Sequence, residues 1–571
     1  MNEDFRKSPP APLAPKPFNV PKPFETFLSN GLKVVILEDN RLPIVSFRLA
    51  FRVGEINDPI DTRGLTSALA SMLTQGTNLR TSRALAEEVE RLGASLHASS
   101  SSDNTRISAS ALAIYGFDIL KLMADVVLNP AFPEQELDLY RRNTIKSLQF
   151  QRSQADFLAH EQTAKIVYGT HPYGVISPTP AEVEKITREK LVAFHRHILV
   201  PDNAIIIAVG NINRTGLLDE LNTLFGNWQK GNIEWTNFPA LPVRSEKTLT
   251  IVDRPGSAQS NIVLANPAIN RNHPDYFPVL VMNQILGAGA SSRLFMNLRE
   301  EKGYTYGAYS SFDTRRHAGA FEATAEVRTP VTGEALKEFF YELERIRTEE
   351  VLAQDLEDAK SYLTGVFPIR AETQEGLTNL IVAQQLYKLP EDYLQTYREK
   401  INGVSIADVK RVAKTYLMPD KLAIVIVGDA EEILQQAKPF AAKIDVFDTE
   451  GKPVDISKYG KATTAPTVNA TGKWNLILEF QGQKLPVSLN LKQEGDQLTG
   501  SLNSMFGSGE ISEGKVNGNK LKAVANTEIQ GQTIELSLNA TIDSDVMKGT
   551  INADNPGFPT VNFEGEKAVS N

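Results

Sequence analysis

The sequence predicts an α+β protein made by duplication, with a small all-β module behind it. The strongest sign is an internal repeat. Phe194 to Ile212, FHRHILVPDNAIIIAVGNI, recurs as Val412 to Ala430, VAKTYLMPDKLAIVIVGDA, with Pro201 over Pro419 and Gly210 over Gly428, both offset by 218 residues. A period that long marks a copied domain and not a stack of short repeats. Each copy reads as a helix, a turn and a buried strand of β-branched residues ending at Gly. Strongly helical runs such as Ala84–Leu92 and Leu336–Ile346 then need a mixed sheet to pack on. The last sign is a change of composition after Asp455, where helical periodicity gives way to short alternating segments and turn residues.

The chain has 571 residues, 41% hydrophobic and 23% charged, ordinary values for a globular protein with ample chain for several cores. A net charge of −9 argues against nucleic acid or an anionic membrane surface as partner. No apolar run is long enough for a transmembrane helix. Cysteine is absent, which removes disulfides, thiolate metal ligands and cysteine nucleophiles together.

In chain order, residues 1–23 are a Pro-rich tail, with seven prolines from Pro9 to Pro23 and no signal-peptide core. Residues 24–240 form the first half. It opens on a hairpin, Phe24–Leu28 and Leu32–Leu37, around Asn30-Gly31, a strong turn signal. Ile44–Val53 is a third strand. Gly64–Thr77, GLTSALASMLTQGT, is an amphipathic helix with Leu65, Ala68, Leu69, Met72 and Leu73 on its apolar face, and Ser67 and Ser71 one turn apart. Gln229–Lys247 is a polar, Pro-containing connector, and residues 245–450 form the second half. A linker spans 451–470. The all-β module, 471–571, has expected strands at Trp474–Phe480, Leu485–Leu491, Gln497–Leu502, around Val516, and at Leu521–Val524, Ile534–Leu538 and Met547–Ile551. Turns at Gln481-Gly482, Glu494-Gly495-Asp496 and Asn517-Gly518-Asn519 separate them, and the spacing predicts a barrel or sandwich.

The densest stretch is Ile285–Ser310, ILGAGASSRLFMNLREEKGYTYGAYS. An apolar helix breaks at Gly287 and Gly289. A second helix starts near Ser292, with Leu294, Phe295 and Leu298 at helical spacing, and stops at Lys302-Gly303. Tyr304–Tyr309 alternates like a strand. Arg299, late on the helix, and Tyr306, early on the strand, can converge as a fork of donors beside a phenol. On chemistry alone, the first reading of Arg299 is a surface charge paired with Glu300 or Glu301, and of Tyr306 a strand residue with a wet tip.

This stretch resembles the second-half signature of the pitrilysin and mitochondrial-processing-peptidase family, the inverzincins. Gly287, Gly289, Ser292, Arg293, Leu294, Phe295, Arg299, Glu300, Lys302, Gly303 and Tyr306 match it. The resemblance covers roughly residues 24–450 and implies a clam-like pair of halves. It implies that Arg299 and Tyr306 act on a substrate carbonyl and that Gly287, Gly289, Ser292 and Arg293 contact substrate. Active members carry His-x-x-Glu-His on the first-half helix, two ligands and a base. Here those positions fall on Ser67, Ala70 and Ser71, and the third ligand, a glutamate, falls on Lys146 or Ser147. Hydroxyls are poor zinc ligands, and alanine cannot take a proton from water. None of the seven histidines, His97, His160, His171, His195, His197, His273 and His317, pairs with another at i, i+4. His171-Pro-Tyr-Gly174 resembles a family loop with a structural role.

The resemblance therefore implies a subunit that binds no metal itself and supplies the Arg/Tyr pair to a zinc-bearing homologue, acting on peptides. Two other readings stand beside it: a peptide-binding or scaffold protein without a protease partner, and a stand-alone hydrolase with an unrecognised site. The Pro-rich start, the missing cysteines and the β module lead us to expect a periplasmic or secreted protein.

Overall fold

The computed structural model describes residues 20–233, 237–459, 468–480, 483–504, 507–529, 532–553 and 561–568. The Pro-rich tail before residue 20, positions 460–467 of the expected linker and the Gln481-Gly482 turn lie outside them. The chain divides into two compact units that meet between Val454 and Asp455.

The Asn30-Gly31 turn joins β1 (Phe24–Phe27) to β2 (Lys33–Glu38), with Phe24 opposite Ile36. Gly31 sits at φ +89°, where an L side chain would be strained. Asn30 does more than turn the chain. Its amide donates to the carbonyls of Phe225 (2.7 Å) and Trp228 (3.2 Å), tying the hairpin to the end of the first half. β3 (Ile44–Phe51), β4 (Ser95–Ser100), β5 (Thr105–Leu112) and β6 (Ala204–Gly210) complete a six-stranded sheet in the order β1-β2-β6-β3-β5-β4. Only β2 and β6 run parallel. The Leu65–Leu73 and Gly116–Leu128 helices pack their apolar faces onto this sheet, in a core that includes Phe47, Leu69, Met72, Ile107 and Met123.

The second half repeats the plan. β7 (Thr248–Asp253), β8 (Gln259–Ala268), β9 (Thr305–Thr314), β10 (Gly319–Arg328), β11 (Ala423–Gly428) and β12 (Lys443–Phe447) lie in the order β12-β7-β11-β8-β10-β9. The two copies of the repeat supply β6 and β11, both buried along their whole length. The edge slot filled by antiparallel β1 in the first sheet is filled by parallel β12 in the second, because the chain enters it from opposite ends.

Two helices cross between the halves. Ala155–Tyr168 leaves the first half and packs on β8 and β11 of the second sheet. Gln374–Leu386 leaves the second half and packs on β3 and β6 of the first. The offset that relates the repeats carries one helix onto the other to within a residue. The first contributes Leu158, Ala159, Ala164, Val167 and Tyr168 to a shared core with Val263, Ala320, Val425 and Val427. Polar ties follow the same path. Gln385 accepts from Lys33 Nζ (2.7 Å) and donates to Glu25 (2.7 Å), and Arg52 donates to the Gln385 carbonyl (3.1 Å). His160 faces Glu322 at 3.5 Å, and that hydrogen bond raises the imidazole above its ordinary pKa.

The C-terminal unit is a closed barrel of eight antiparallel strands in sequence order. These are β13 (Gly472–Phe480), β14 (Gln483–Glu494), β15 (Gln497–Ser504), β16 (Gly507–Asn517), β17 (Lys520–Ile529), β18 (Gln532–Asp543), β19 (Val546–Ala553) and β20 (Val561–Lys567). Trp474, Leu489, Leu498, Leu521, Met547 and Phe563 are among the side chains that fill it. Two features differ from the sequence reading. β16 is a full strand where only the region of Val516 showed a signal, because GSGEISEGKVN is Gly-rich and bulges between Ile511 and Glu513. β20, left unmarked in the sequence reading although Val561 and Phe563 alternate with polar residues, pairs with both β13 and β19 and closes the barrel.

Leu158→Ala removes a buried side chain where the crossing helix meets the second sheet, so it should cost about 2–5 kcal/mol. The measurable result is one lowered unfolding transition for both halves together; separate transitions would show that the halves fold independently. Cleavage within 460–467 should leave both units with their own cooperative melts, read by calorimetry of the separated pieces.

Candidate functional site: a closed hydroxyl network and an open Arg/Tyr turn

The Leu65–Leu73 helix begins at Gly64, whose φ of +85° admits the chain, and it borrows its cap from a distance. Asp58 accepts from Gly64 N (2.7 Å), Thr66 N (2.8 Å) and Thr66 Oγ1 (2.5 Å). A carboxylate at a helix N-terminus satisfies amides that would otherwise be orphaned. Burial nevertheless pushes this carboxyl up to about 6 against those bonds. Tyr140, on the Glu134–Arg152 helix, is driven to about 12 by burial, with Asp58 and Glu55 adding to the rise.

Ser67 faces this region from the helix. Its Oγ donates to Glu55 Oε1 (2.7 Å), and Ser100 Oγ, 2.9 Å from Ser67 Oγ, lies 3.1 Å from the same Glu55 oxygen. The two hydroxyls thus converge on one carboxylate oxygen. Ala70 is buried, and its methyl offers no base. Ser71 is exposed, as are Lys146 and Ser147 on the Glu134–Arg152 helix. Among the described residues, no three of His, Asp and Glu come together in a metal-holding group. Sequence reasoning missed Glu55 and Asp58 because both lie in the turn after β3, with no periodicity to mark them.

The second-half turn is built differently. The Tyr276–Leu286 helix ends at Gly287, which docks against β9. Ser310 N donates to Gly287 O (2.8 Å), and a Cβ on Gly287 would lie 2.3 Å from Ser310 Oγ, so only glycine fits. Asn283 and Ser310 lock the junction with two reciprocal bonds of 3.0 and 2.8 Å. Gly289 has room for a Cβ, so packing does not require a glycine there.

One α-turn, Arg293–Phe295, is followed by a π-helical segment, Met296–Glu301, where the expected helix was regular. Gly303 stops it at φ +63°. Asn297 anchors the segment, donating to Glu338 and Glu342 at 3.0 Å each. The expected substrate contacts at Gly287, Ser292 and Arg293 sit inward. Gly287 and Ser292 are buried, and Arg293 is mostly buried and pairs with Asp355 at 3.5 Å. These residues build the turn because the short helix packs them against the Ala353–Glu372 helix and β9. Ser292 Oγ, Arg293 Nη1 and Asn297 Oδ1 are buried with no hydrogen-bond partner among the described residues.

β9 holds one extra residue. Ala308 pairs with Ala325 and Thr305 with Val327, so three steps on β9 match two on β10. Thr305 pins this bulge by donating to Glu326 O (2.6 Å) and accepting from Gly307 N (3.1 Å). A bulge re-aims side chains. Tyr306 is 88% exposed and lies on the same outer side as Tyr309. Arg299 is half-exposed, ion-pairs with Glu300, and stands 4.9 Å from the Phe295 ring, which in turn contacts Tyr309. Both residues are thus exposed, with the guanidinium turned toward Glu300. The sequence does carry a sign of the bulge, Gly307 within a strand pattern.

Residues 33–178 match the family model for insulinase (peptidase family M16), and residues 185–363 match the model described as peptidase M16 inactive domain. The chain belongs to the M16 peptidase family. A Bacillus subtilis M16 relative, "Uncharacterized zinc protease YmxG", is 22% identical over 68% of this chain and 95% of its own length. A Helicobacter pylori relative, "Non-peptidase homolog YmxG", is 24% identical over 71% of this chain and 94% of its own. Among solved structures, a peptidase M16 inactive domain from Pseudomonas fluorescens superposes with a TM-score of 0.67 at 27% identity, covering 71% of this chain and 98% of that one. A protease from Helicobacter pylori shares the fold with a TM-score of 0.65 at 21% identity, over 72% of this chain and all of that one. Both family models stop before the barrel.

The zinc of M16 peptidases does not fit the residues present here. Two hydroxyls, a methyl and Ser147 stand where imidazoles and carboxylates would be needed, and Glu55 is held by Ser67 and Ser100. Chelator-free protein should accordingly carry far less than one zinc per chain in elemental analysis. A stoichiometric content would overturn this.

Proposed function

We propose that this M16 chain is the non-catalytic, substrate-binding subunit of a heteromeric zinc endopeptidase acting on peptides, and that it presents Arg299 and Tyr306 to a zinc-bearing partner. The observation that carries the reading is the contrast between the two halves. Ser67, at one of the expected metal positions, is bonded with Ser100 and Glu55, while Arg299 and Tyr306 are both exposed. The name of the Helicobacter pylori relative supports the loss of peptidase activity in such chains.

Zinc in this reading belongs to the partner. This chain's own residues bind and polarise. The Arg299 fork and the Tyr306 hydroxyl donate to the scissile carbonyl and hold the oxyanion that develops on it, a large term when donors are preorganised. Arg299 must first leave Glu300. Exposed ion pairs contribute only about 0–1 kcal/mol, so re-aiming the guanidinium costs little. The π-helical segment and the bulge are single-residue insertions of the kind that mark functional sites. In the same reading, the pair works in the periplasm or outside the cell.

The test is reconstitution with a zinc-bearing M16 homologue from the same source. Tyr306→Phe should lower peptide turnover by about 100-fold to 1000-fold, and Arg299→Ala by at least as much. Arg299→Lys should fail as well, since an ammonium lacks the planar fork. Melting and co-purification with the partner should not change, because both side chains are at the surface. Cleavage that persists unchanged in the Arg299→Ala, Tyr306→Phe double variant would refute the role and leave the scaffold reading.

A further inference from the structure

A cavity of about 750 Å³ opens where the second half meets the first sheet, at the N-terminal end of the crossing helix Gln374–Leu386. Its floor is one face of β3 and β5, where Ile44 lies opposite Leu112 and Ser46 opposite Ser110. One wall is the turn of residues 39–42, between β2 and β3. The other is the junction between the Ala353–Glu372 helix and the crossing helix. We propose that this cavity binds a small primary amine, in its ammonium form, carried on an apolar body. The inference stands apart from the partner-subunit reading, since it uses neither Arg299 nor Tyr306.

The walls are fixed to each other by bonds between the halves. Arg41 grips the Asp39 carboxylate through Nε (2.9 Å) and Nη2 (2.7 Å), and the same Nη2 donates to Glu372 O (3.2 Å). Gln374 Nε2 donates to Asp39 O (3.0 Å). Thr373 caps the crossing helix by accepting from Gly376 N (3.0 Å). At the floor, Ser110 Oγ shares a hydrogen bond with Ser95 Oγ (2.8 Å). These groups are spent on one another, so the cavity is formed before any ligand arrives.

Two groups on the lining remain open, and both can accept. Ser46 is 4% exposed and lines the cavity, yet its hydroxyl has no hydrogen-bond partner among the described residues. The Glu372 carboxylate, exposed at the rim, takes part in no hydrogen bond or salt bridge among them. The charges point the same way. The lining carries Asp39, Glu372 and Glu375 against the one guanidinium of Arg41. Arg41 is matched by Asp39, and Glu375 by Arg48 at 3.3 Å, which leaves Glu372 over. The N-terminus of the crossing helix adds about half a positive charge, less than one carboxylate removes. An ammonium offers three donors, no acceptor and a full positive charge, so it suits the Ser46 hydroxyl and the Glu372 carboxylate together. The rest of the lining is apolar, with Leu42 and Leu112 exposed and Ile44 and Ala111 behind them. A few fixed polar groups beside apolar walls, in a cavity of this size, are the usual build of a small-molecule site. An amine on a ring or short alkyl chain matches both parts.

The test uses the full chain, with tryptamine as probe and its neutral isostere tryptophol as control, measured by calorimetric titration and by melting. Tryptamine should bind once per chain with a Kd below about 1 mM and raise the melting midpoint with concentration. Tryptophol should bind at least about tenfold more weakly, the worth of a charge-assisted hydrogen bond. Glu372→Gln and Ser46→Ala should each weaken tryptamine by a similar factor while the ligand-free melt stays in place. Glu372 is at the surface, so that variant keeps the test alive if Ser46→Ala, within the buried strand β3, does not fold. Absence of saturable tryptamine binding, equal binding of amine and alcohol, or unchanged affinity in the Glu372→Gln chain would each overturn the proposal.

Discussion

The exchange of one helix between two like sheets is the contact on which the first unit depends. An isolated half would leave one face of its sheet open, including much of β3 and β6 or of β8 and β11, and burying such apolar area is the largest favourable term in folding. Neither half can cover that face from its own helices, because those already occupy the other side. Sending Ala155–Tyr168 one way and Gln374–Leu386 the other solves the problem symmetrically. It also explains why two homologous halves form one compact unit. The cost is a set of polar groups buried at the crossing. It is met in part by Lys33 and Glu25 on Gln385 and by Arg152 on Glu161 at 2.9 Å, while Thr163 Oγ1, Tyr168 OH and Gln374 Oε1 are buried with no hydrogen-bond partner among the described residues.

Duplication also lets the halves diverge in chemistry without diverging in fold. The helix Leu65–Leu73 keeps its apolar face and its Asp58 cap, so it still packs as part of the first core. Its polar face carries Ser67, which meets Ser100 and Glu55. In the second half, two one-residue insertions sit on either side of Gly303, the π-helical segment before it and the β9 bulge after it. Around them Arg299 and Tyr306 are exposed while Leu298 and Ala308 stay buried. An ideal helix and an unbulged strand would have put Tyr306 on the same side as buried Ala308.

Much of this was legible in the residues. The repeat, the Asn30-Gly31 hairpin and the Gly303 stop all rest on local chemistry, and local chemistry survives into the fold. The bland reading of Arg299 as a charge paired with Glu300 also describes the structure, since that ion pair is present. The inward positions of Ser292 and Arg293 were not legible, because a motif records which residues are needed and not whether they touch a ligand or hold a turn. The crossing helices were invisible for a related reason. Each is buried on more than one side, so neither shows the apolar stripe that periodicity detects.

The sequence by itself determined the duplicated α+β plan and the all-β tail domain. These are carried by residue type, spacing and turn chemistry within short stretches of chain. Only the tertiary structure decided which sheet each crossing helix covers, that β20 closes the barrel, and that a bulge turns Tyr306 outward. It likewise brought Asp39, Ser46, Leu112 and Glu372 to one cavity. Those outcomes depend on pairing and burial between residues far apart in the chain, where the energy lies in surfaces meeting and leaves no pattern in either segment alone.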